Sequence, residues 1–340
     1  MGMMNRMCLF LLAWLLSCTP SPPDPSHASA DPSADPSSPP RPYHVWVDTD
    51  LGGDPDDIQS LFRLLHYSDW LQIEGIVSTP CADLADHPWD TLPHVPLIQE
   101  WIRRVDLPHL HQRGYTDLMR EDELLPLVKA GSPKPGPPRP GGHSAGSAHL
   151  IARAKAQGPA QPLWVLVWGS MTTVAQALHD APEIAPHIRI YSIATTNTQQ
   201  DSLSRNFVYR FMQERYPDLW WIENGRLPKW SHETMRGVYQ GGNQAGEWGN
   251  QAFVKVNIRG HGSTHGGTFA EKGGDAFPVA TWPAGTLKEG DSPSFLYLLA
   301  PVVGGVGDVD DPTQPSWGGR FRHDNQETFP HYYVDLDLPM

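Results

Sequence analysis

Apolar and polar positions divide the chain into three regimes. Residues 1–18 hold one apolar run, at 9–16, behind the single charge of Arg6. Residues 19–42 are almost wholly Pro, Ser, Ala and Asp, with no apolar period. From Tyr43 onward two periods alternate. Residues 43–47 (YHVWV) read as a strand. Residues 58–67 (IQSLFRLLHY) set Ile58, Leu61, Phe62 and Leu65 on one helical face. Residues 71–78 (LQIEGIVS) read as a second strand, which completes a βαβ unit. The pattern goes on with helices at 97–105 and 144–157. The run at 162–168 (PLWVLVW) is nearly all apolar, as a central parallel strand requires. A helix at 172–179, a strand at 188–193, a helix at 206–215 and a strand at 219–222 follow. This predicts one α/β domain over 43–330, with a largely parallel, Rossmann-like sheet, helices on both faces, a loop-rich C-terminal part and a tail at 331–340. Two stretches interrupt it. Residues 131–142 (GSPKPGPPRPGG) predict a surface loop that either lines a site or is decoration. Residues 225–290 are rich in Gly, Trp, Asn and His and show little periodicity.

The N-terminal regimes are not fold. A positive residue, a short apolar run and Leu15-Leu16-Ser17-Cys18 make a secretory signal pattern. The last four residues resemble the lipobox of bacterial lipoproteins. That resemblance implies a signal peptide at 1–17 and a lipidated Cys18 as the mature N-terminus. The alternative is an ordinary signal peptide that contains a cysteine. Residues 18–42 cannot bury a core and predict a semi-extended tether. The implied location is the cell envelope, at the outer membrane or cell surface, on the periplasmic or extracellular side. The lipid anchor is the one membrane contact expected.

Charge narrows the partners. With 25 Lys and Arg against 38 Asp and Glu, the formal charge is −13, which argues against a nucleic-acid partner. Three cysteines exclude a disulfide framework. Part of the acid excess is concentrated: Asp48, Asp50, Asp54, Asp56 and Asp57 fall within ten residues, after the first strand and before the first helix. Ligands of open α/β sheets bind at the carboxyl ends of strands. Five carboxylates there repel one another unless a cation joins them, and an all-oxygen set selects a hard cation such as Ca²⁺. A solvated turn with Asp56 or Asp57 capping the helix accounts for one or two of the acids, not five. The spacing is not that of an EF-hand.

The segment V-D-T-D, a glycine and a D-D pair opening a helix resembles the N-terminal signature of nucleoside hydrolases. The turn 168–178 (WGSMTTVAQAL) is similar to that family's glycine-x-leucine-threonine-asparagine turn, with Thr172 at the threonine whose carbonyl binds Ca²⁺. Asp291, in EGDSPS before an apolar helix, falls at the family's late calcium-binding Asp. The chain departs from the standard enzymes in three places. The spacing from Asp50 to the Asp pair is two residues longer, the turn 75–82 lacks the ribose-binding asparagine, and Gly290 stands where many members carry histidine. The fuller set resembles a divergent branch, the nucleoside-hydrolase-like secreted bacterial proteins often labelled cellulose-binding. It comprises GGDPDDIQS at 52–60, EGDSPSFLYLL at 289–299, WGGR at 317–320, RGVYQGG at 236–242 and RGHG at 259–262.

The resemblance implies a Ca²⁺-dependent hydrolase of an N-glycosidic or glycosidic bond. Asp50 would be the general base, and Asp50, Asp57, Thr172 and Asp291 the metal ligands. Asp56 would bind sugar hydroxyls, and Asp54 would either join the metal or fill the longer turn. His261, His265 and Trp317 are candidates for a leaving-group acid or stacking wall, and Arg320 for binding a hydroxyl or carboxylate. A His pair four apart holds zinc only on a helix, and Gly262, Gly266 and Gly267 speak against one at His261 and His265. Trp46, Trp164 and Trp168 read as core, whereas Trp220, Trp221, Trp230, Trp248, Trp282 and Trp317 are free for sugar stacking. The expected partner is a small sugar, nucleoside or saccharide. The competing expectation is a carbohydrate-binding lipoprotein, for cellulose or another plant-wall saccharide, that keeps the fold without the chemistry.

Overall fold

The computed structural model describes residues 43–52, 56–80, 94–226, 243–262, 264–273 and 285–336. Strands β1 (Tyr43–Thr49), β2 (Leu71–Ser78), β3 (Val128–Ala130), β4 (Leu163–Val167), β5 (Ile188–Ile193), β6 (Trp220–Asn224), β7 (Phe321–His323) and β8 (Tyr332–Asp335) form one sheet. Its order is β3-β2-β1-β4-β5-β6-β8-β7, and every pairing is parallel except β7 with β8. The helices are α1 (Asp56–Leu65), α2 (Val95–Arg104), α3 (Leu107–Gln112), α4 (Glu121–Leu124), α5 (Ala145–Ala156), α6 (Thr172–Asp180), α7 (Thr195–Gln200), α8 (Ser202–Glu214), α9 (Asn250–Asn257), α10 (His265–Gly267) and α11 (Pro293–Val302).

Strand alternation sends successive side chains to opposite faces, and both faces are covered. Val45, Val47, Ile73, Trp164 and Leu166 meet α1, α2 and α11 through Leu61, Ile98 and Phe295. Trp46, Val165, Val167 and Ile190 meet α5, α6 and α8 through Leu150, Val174 and Val208. All five residues of β4 are buried, which accounts for its unbroken apolar run. Ser144 caps α5 in a reciprocal capping box with Ser147, and Pro293 opens α11, where a missing N–H costs nothing.

The expected strands at 71–78 and 188–193 are present with those bounds. Three expectations are corrected. Residues 331–340 are not simply a tail: β8 lies inside the sheet, paired to both β6 and β7, and buries Tyr332 to Asp335. The stretch 225–290 includes a regular helix, α9, whose single buried apolar residue Val254 leaves too weak a stripe to read. Trp220 and Trp221 are not free for stacking; they are buried on opposite faces of β6. Trp46, Trp164 and Trp168 are buried as expected. The loop 131–142 is fastened across the sheet end. The Arg139 N–H donates to the Gln176 side-chain oxygen at 3.1 Å, and the Ser204 hydroxyl donates to the Gly136 carbonyl at 2.7 Å.

Candidate metal and active centre

The strand order reverses direction between β1 and β4, which makes their carboxyl ends the switch point of the sheet. The Trp168 N–H donates to the Asp48 carbonyl at 2.7 Å, so the turns leaving the two strands run side by side. Asp50 leaves β1 at this point and is 7% exposed. Gly169 leaves β4 beside it. A Cβ on Gly169 would fall 2.9 Å from the Asp50 carboxyl carbon and 2.6 Å from the Thr79 hydroxyl. Only glycine admits that approach. The Thr79 hydroxyl is buried, faces the same point and has no hydrogen-bond partner among the described residues.

Asp56 and Asp57 form the first turn of α1, and both are buried. Carboxylate oxygens of Asp56, Asp57 and Asp291 lie within 4.8 Å of one another. Burial, together with the charges of Asp50 and Asp56, pushes the Asp57 carboxyl well above the usual carboxylate range. The Thr49 hydroxyl donates to Asp57 and accepts the Leu51 N–H at 3.1 Å, which holds the acid turn to the helix. Such a set cannot be fully ionised without a counter-charge. Its donors are hard oxygens, buried and convergent, and they fit Ca²⁺.

Asp291 is far from α1 in sequence, and three side chains of α1 bring it there. Gln59 donates to the Thr286 carbonyl at 3.2 Å and accepts the Lys288 N–H at 2.6 Å. The Ser292 hydroxyl donates to that of Ser60 at 3.2 Å. Arg63 grips Glu289 through both nitrogens of its fork, the second contact at 2.8 Å. The residues after the D-D pair and around the late Asp are therefore two halves of one clamp. Behind it, Trp168 donates to the Ser294 hydroxyl at 2.8 Å, tying α11 to the turn after β4.

The remaining expected residues divide. Asp48, counted among the five acids, stays in β1, where the Trp46 indole N–H donates to it at 3.0 Å. Burial pushes its carboxyl up to about 8. Thr172 opens α6, and its hydroxyl donates to buried Asp201 at 2.6 Å. Asp201 also accepts the Ser170 hydroxyl at 2.9 Å and caps α8. His261 is exposed and spends Nε2 on the Val256 carbonyl at 2.9 Å. Arg320 is exposed and donates to the Thr313 carbonyl at 3.0 Å. Trp317 is 40% exposed, at the loop after α11. None of His261, Trp317 and Arg320 has a hydrogen bond, ion pair or ring contact with the acid cluster among the described residues. Their own loops engage one nitrogen of each, Nε2 of His261 and Nε of Arg320. Asp54, Cys18, Trp230, Trp282 and the segment 236–242 lie outside the described residues.

One residue of this region had no signal in the sequence. His94 is buried, and its Nδ1 meets the Leu51 carbonyl at 2.7 Å while its N–H donates to the Ser78 hydroxyl at 3.0 Å. It fastens the acid turn to the end of β2. A Cβ on Gly52, whose φ is +113°, would fall 2.3 Å from that ring nitrogen. A single histidine before Val-Pro carries no pattern that points to this place.

Residues 44–321 match the family described as "Cellulose-binding Sde182, nucleoside hydrolase-like domain". Among solved structures, a nucleoside hydrolase-related hypothetical protein from Saccharophagus degradans, associated with carbohydrate metabolism, matches at a TM-score of 0.60 and 22% identity over 86% of this chain. The chain spans 66% of the length of that protein. A purine-preferring ribonucleoside hydrolase from Gardnerella vaginalis matches at a TM-score of 0.44 and 14% identity, covering 86% of this chain and 92% of its own. No curated protein matches the chain at a significant level.

Proposed function

We propose, from the premise that this chain belongs to the Sde182 nucleoside hydrolase-like family, that it is a calcium-dependent hydrolase of a glycosidic or N-glycosidic bond. The observation that carries the reading is the convergence of Asp56, Asp57 and Asp291 beside Asp50 at the switch point of the sheet. Asp50, Asp57 and Asp291 would hold the ion, with the Thr172 carbonyl as the ligand the family resemblance adds. Bound there, calcium would offset the carboxylate charge and polarise a water and the sugar hydroxyls. Asp50 then takes the proton of the attacking water at its carboxylate. Asp56 binds sugar hydroxyls and orients the ring. The negative carboxylates favour the positive charge that develops on the sugar as the bond breaks. The Thr79 hydroxyl, facing Asp50, supplies a further oriented donor or acceptor.

The test is turnover of nucleosides and aryl glycosides by the purified chain, with calcium and with chelator. Turnover should need calcium and fall about 100-fold or more in Asp50→Asn. Absence of turnover on every substrate, with no calcium-dependent stabilisation, would discard the reading.

A second reading, saccharide binding without hydrolysis, is favoured by one observation and by the family's description. Trp248 is 87% exposed, and an indole face in water is a platform for a sugar ring. Binding to cellulose that is lost in Trp248→Ala and kept in Asp50→Asn would support it. For location we propose a lipid anchor at Cys18, supported by the apolar run and the Leu15-Leu16-Ser17-Cys18 segment. Cys18→Ala should release the protein from the membrane fraction; an unchanged distribution would count against the anchor.

A further inference from the structure

The segment after β5 grips the turn after β4. Thr195 opens α7 with φ at +36°, a conformation that a β-branched residue keeps only where its surroundings impose it. Those surroundings are the end of β6. The Ala194 N–H donates to the Asn224 carbonyl at 2.8 Å, and the Thr195 N–H to the Gly225 carbonyl at 3.0 Å. From there Asn197 reaches back to the sheet end. Its side-chain amide donates to the Trp168 carbonyl and, at 3.0 Å, to the Ile193 carbonyl. Trp168 is thus held on both sides, because its N–H donates to the Asp48 carbonyl of β1.

Asp201, just past α7, holds the rest of that turn. Its Oδ2 accepts the Ser170 hydroxyl at 2.9 Å and the Thr172 hydroxyl at 2.6 Å, and its Oδ1 accepts the Ser204 N–H at 3.1 Å. The Ser170 hydroxyl oxygen accepts the Thr172 N–H at 3.1 Å. Asp201 is buried, and Arg205, one turn on, directs its guanidinium to Glu223 instead. A buried carboxylate group without a cation persists only where hydrogen-bond donors compensate it. Two of the donors here are side chains of the turn after β4. Capping α8 needs one oxygen and one N–H, which leaves the two bonds at Oδ2 without a purpose in that helix. Ser204 also donates its hydroxyl to the Gly136 carbonyl, so the loop 131–142 is fastened to the same place.

We propose that Asp201 is a positioning residue of the active centre, assisted by Asn197. Both act through the turn 168–172, which sets Gly169 against Asp50 and carries the Thr172 carbonyl. Asn197 fixes the entry of the turn at Trp168, and Asp201 fixes its exit at Thr172. Outer partners of this kind are worth about 10–100-fold in metal affinity or activity. The inference rests on the calcium-dependent reading for its consequence but not for its geometry, since the grip on the turn needs no ion.

The experiment compares the full chain with Asp201→Asn, Thr172→Val and the double variant. Asparagine caps a helix as well as aspartate does, so Asp201→Asn keeps the α8 cap and removes the second acceptor and the charge. Thr172→Val keeps the carbonyl and removes the hydroxyl. In chelator, amide hydrogen exchange over residues 168–173 should quicken about tenfold or more in Asp201→Asn, while exchange in β2 stays parental. In a CaCl₂ titration followed by thermal unfolding, each single variant should weaken calcium binding about tenfold or more. The double variant should bind no more weakly than Asp201→Asn, because the two groups form one contact. A merely structural role would lower stability alike with and without calcium and leave the calcium midpoint in place. Unchanged exchange of the turn in Asp201→Asn, an unmoved midpoint, or additive losses in the double variant would overturn the assignment. A parent chain without calcium-dependent stabilisation would discard the calcium reading instead, and exchange of the turn would still decide the role of Asp201. If Asp201→Asn does not fold, Thr172→Val and Asn197→Ala carry the same exchange test.

Discussion

The Arg63 guanidinium grips the Glu289 carboxylate at two points, and that grip carries Asp291 to the first turn of α1. Neither residue is an expected ligand, yet both set where a ligand stands. Arg63→Met should leave all the acids in place and loosen the loop. Partners of this kind are worth about 10–100-fold in metal affinity. Calcium titration followed by thermal unfolding should show that weakening, together with a loss of roughly 1–3 kcal/mol in the metal-free chain, where the partly exposed pair is worth less than a fully buried one. An unchanged calcium midpoint would mean that Gln59 and Ser60 hold the loop by themselves.

Asp57 gives an opposite pair of signs. Its carboxyl is strained by burial and by the charges of Asp50 and Asp56. In Asp57→Asn the amide oxygen still accepts from Thr49, and one buried like charge is gone. The metal-free variant should be more stable than the parent by about 1–3 kcal/mol, while the same change should abolish stabilisation by calcium. Denaturant midpoints with calcium and with chelator would show the crossing. Loss of stability under both conditions would mean that the cluster is held by internal hydrogen bonds rather than by an ion.

The sequence showed most clearly what short-range patterns encode. β2 and β5 were legible because apolar residues alternate with polar ones where each strand begins (Leu71 and Ile73, Ile188 and Ile190), and α1 because Ile58, Leu61, Phe62 and Leu65 repeat at helical spacing. The acid cluster was legible because like charges crowd without local compensation. That Asp48 stands apart was not, since alternation along a strand end does not say where the strand stops. β8 was hidden because Tyr332 to Asp335 is four residues long and includes an acid, so its burial comes from β6 and β7 rather than from its own composition. The glycines around His261 and His265 spoke against a metal-holding pair, and the two side chains take different partners. His261 bonds to its own loop, and His265 turns to His66 and His109, a meeting that no spacing announces.

Gly169 is a test of distance at the site. An alanine there would place its Cβ 2.6 Å from the Thr79 hydroxyl and 2.9 Å from the Asp50 carboxyl carbon. Both are nearer than carbon atoms settle, so one side chain must move. Overpacking of this size costs about 1–3 kcal/mol. A shift of the reacting group by about 1 Å costs on the order of 100-fold in rate. Gly169→Ala should therefore fold, with a circular dichroism spectrum like the parent's, and lose turnover far more than stability. A variant with parental turnover would show that Asp50 is not the base.

Asp335 predicts a pH effect far from the acid cluster. It ends β8, where it accepts the Gly225 N–H, and its second oxygen is buried with no hydrogen-bond partner among the described residues. Burial is the main cause that pushes its carboxyl up from 3.8 to about 6, against the lowering effect of that N–H. A raised folded-state value means that the folded chain binds the proton more tightly than the unfolded chain does. The resulting stability is fully present below pH 3.8 and is lost as pH rises through about 6. In Asp335→Asn the group is neutral at every pH and the Gly225 contact is kept. The variant should match the parent near pH 4 and exceed it by about 3 kcal/mol at pH 8. Urea midpoints for the two proteins across this range measure the difference directly, because every other titrating group is common to both. A gap that stays constant with pH would show that Asp335 is ionised in the folded chain throughout and that the Gly225 N–H offsets its burial.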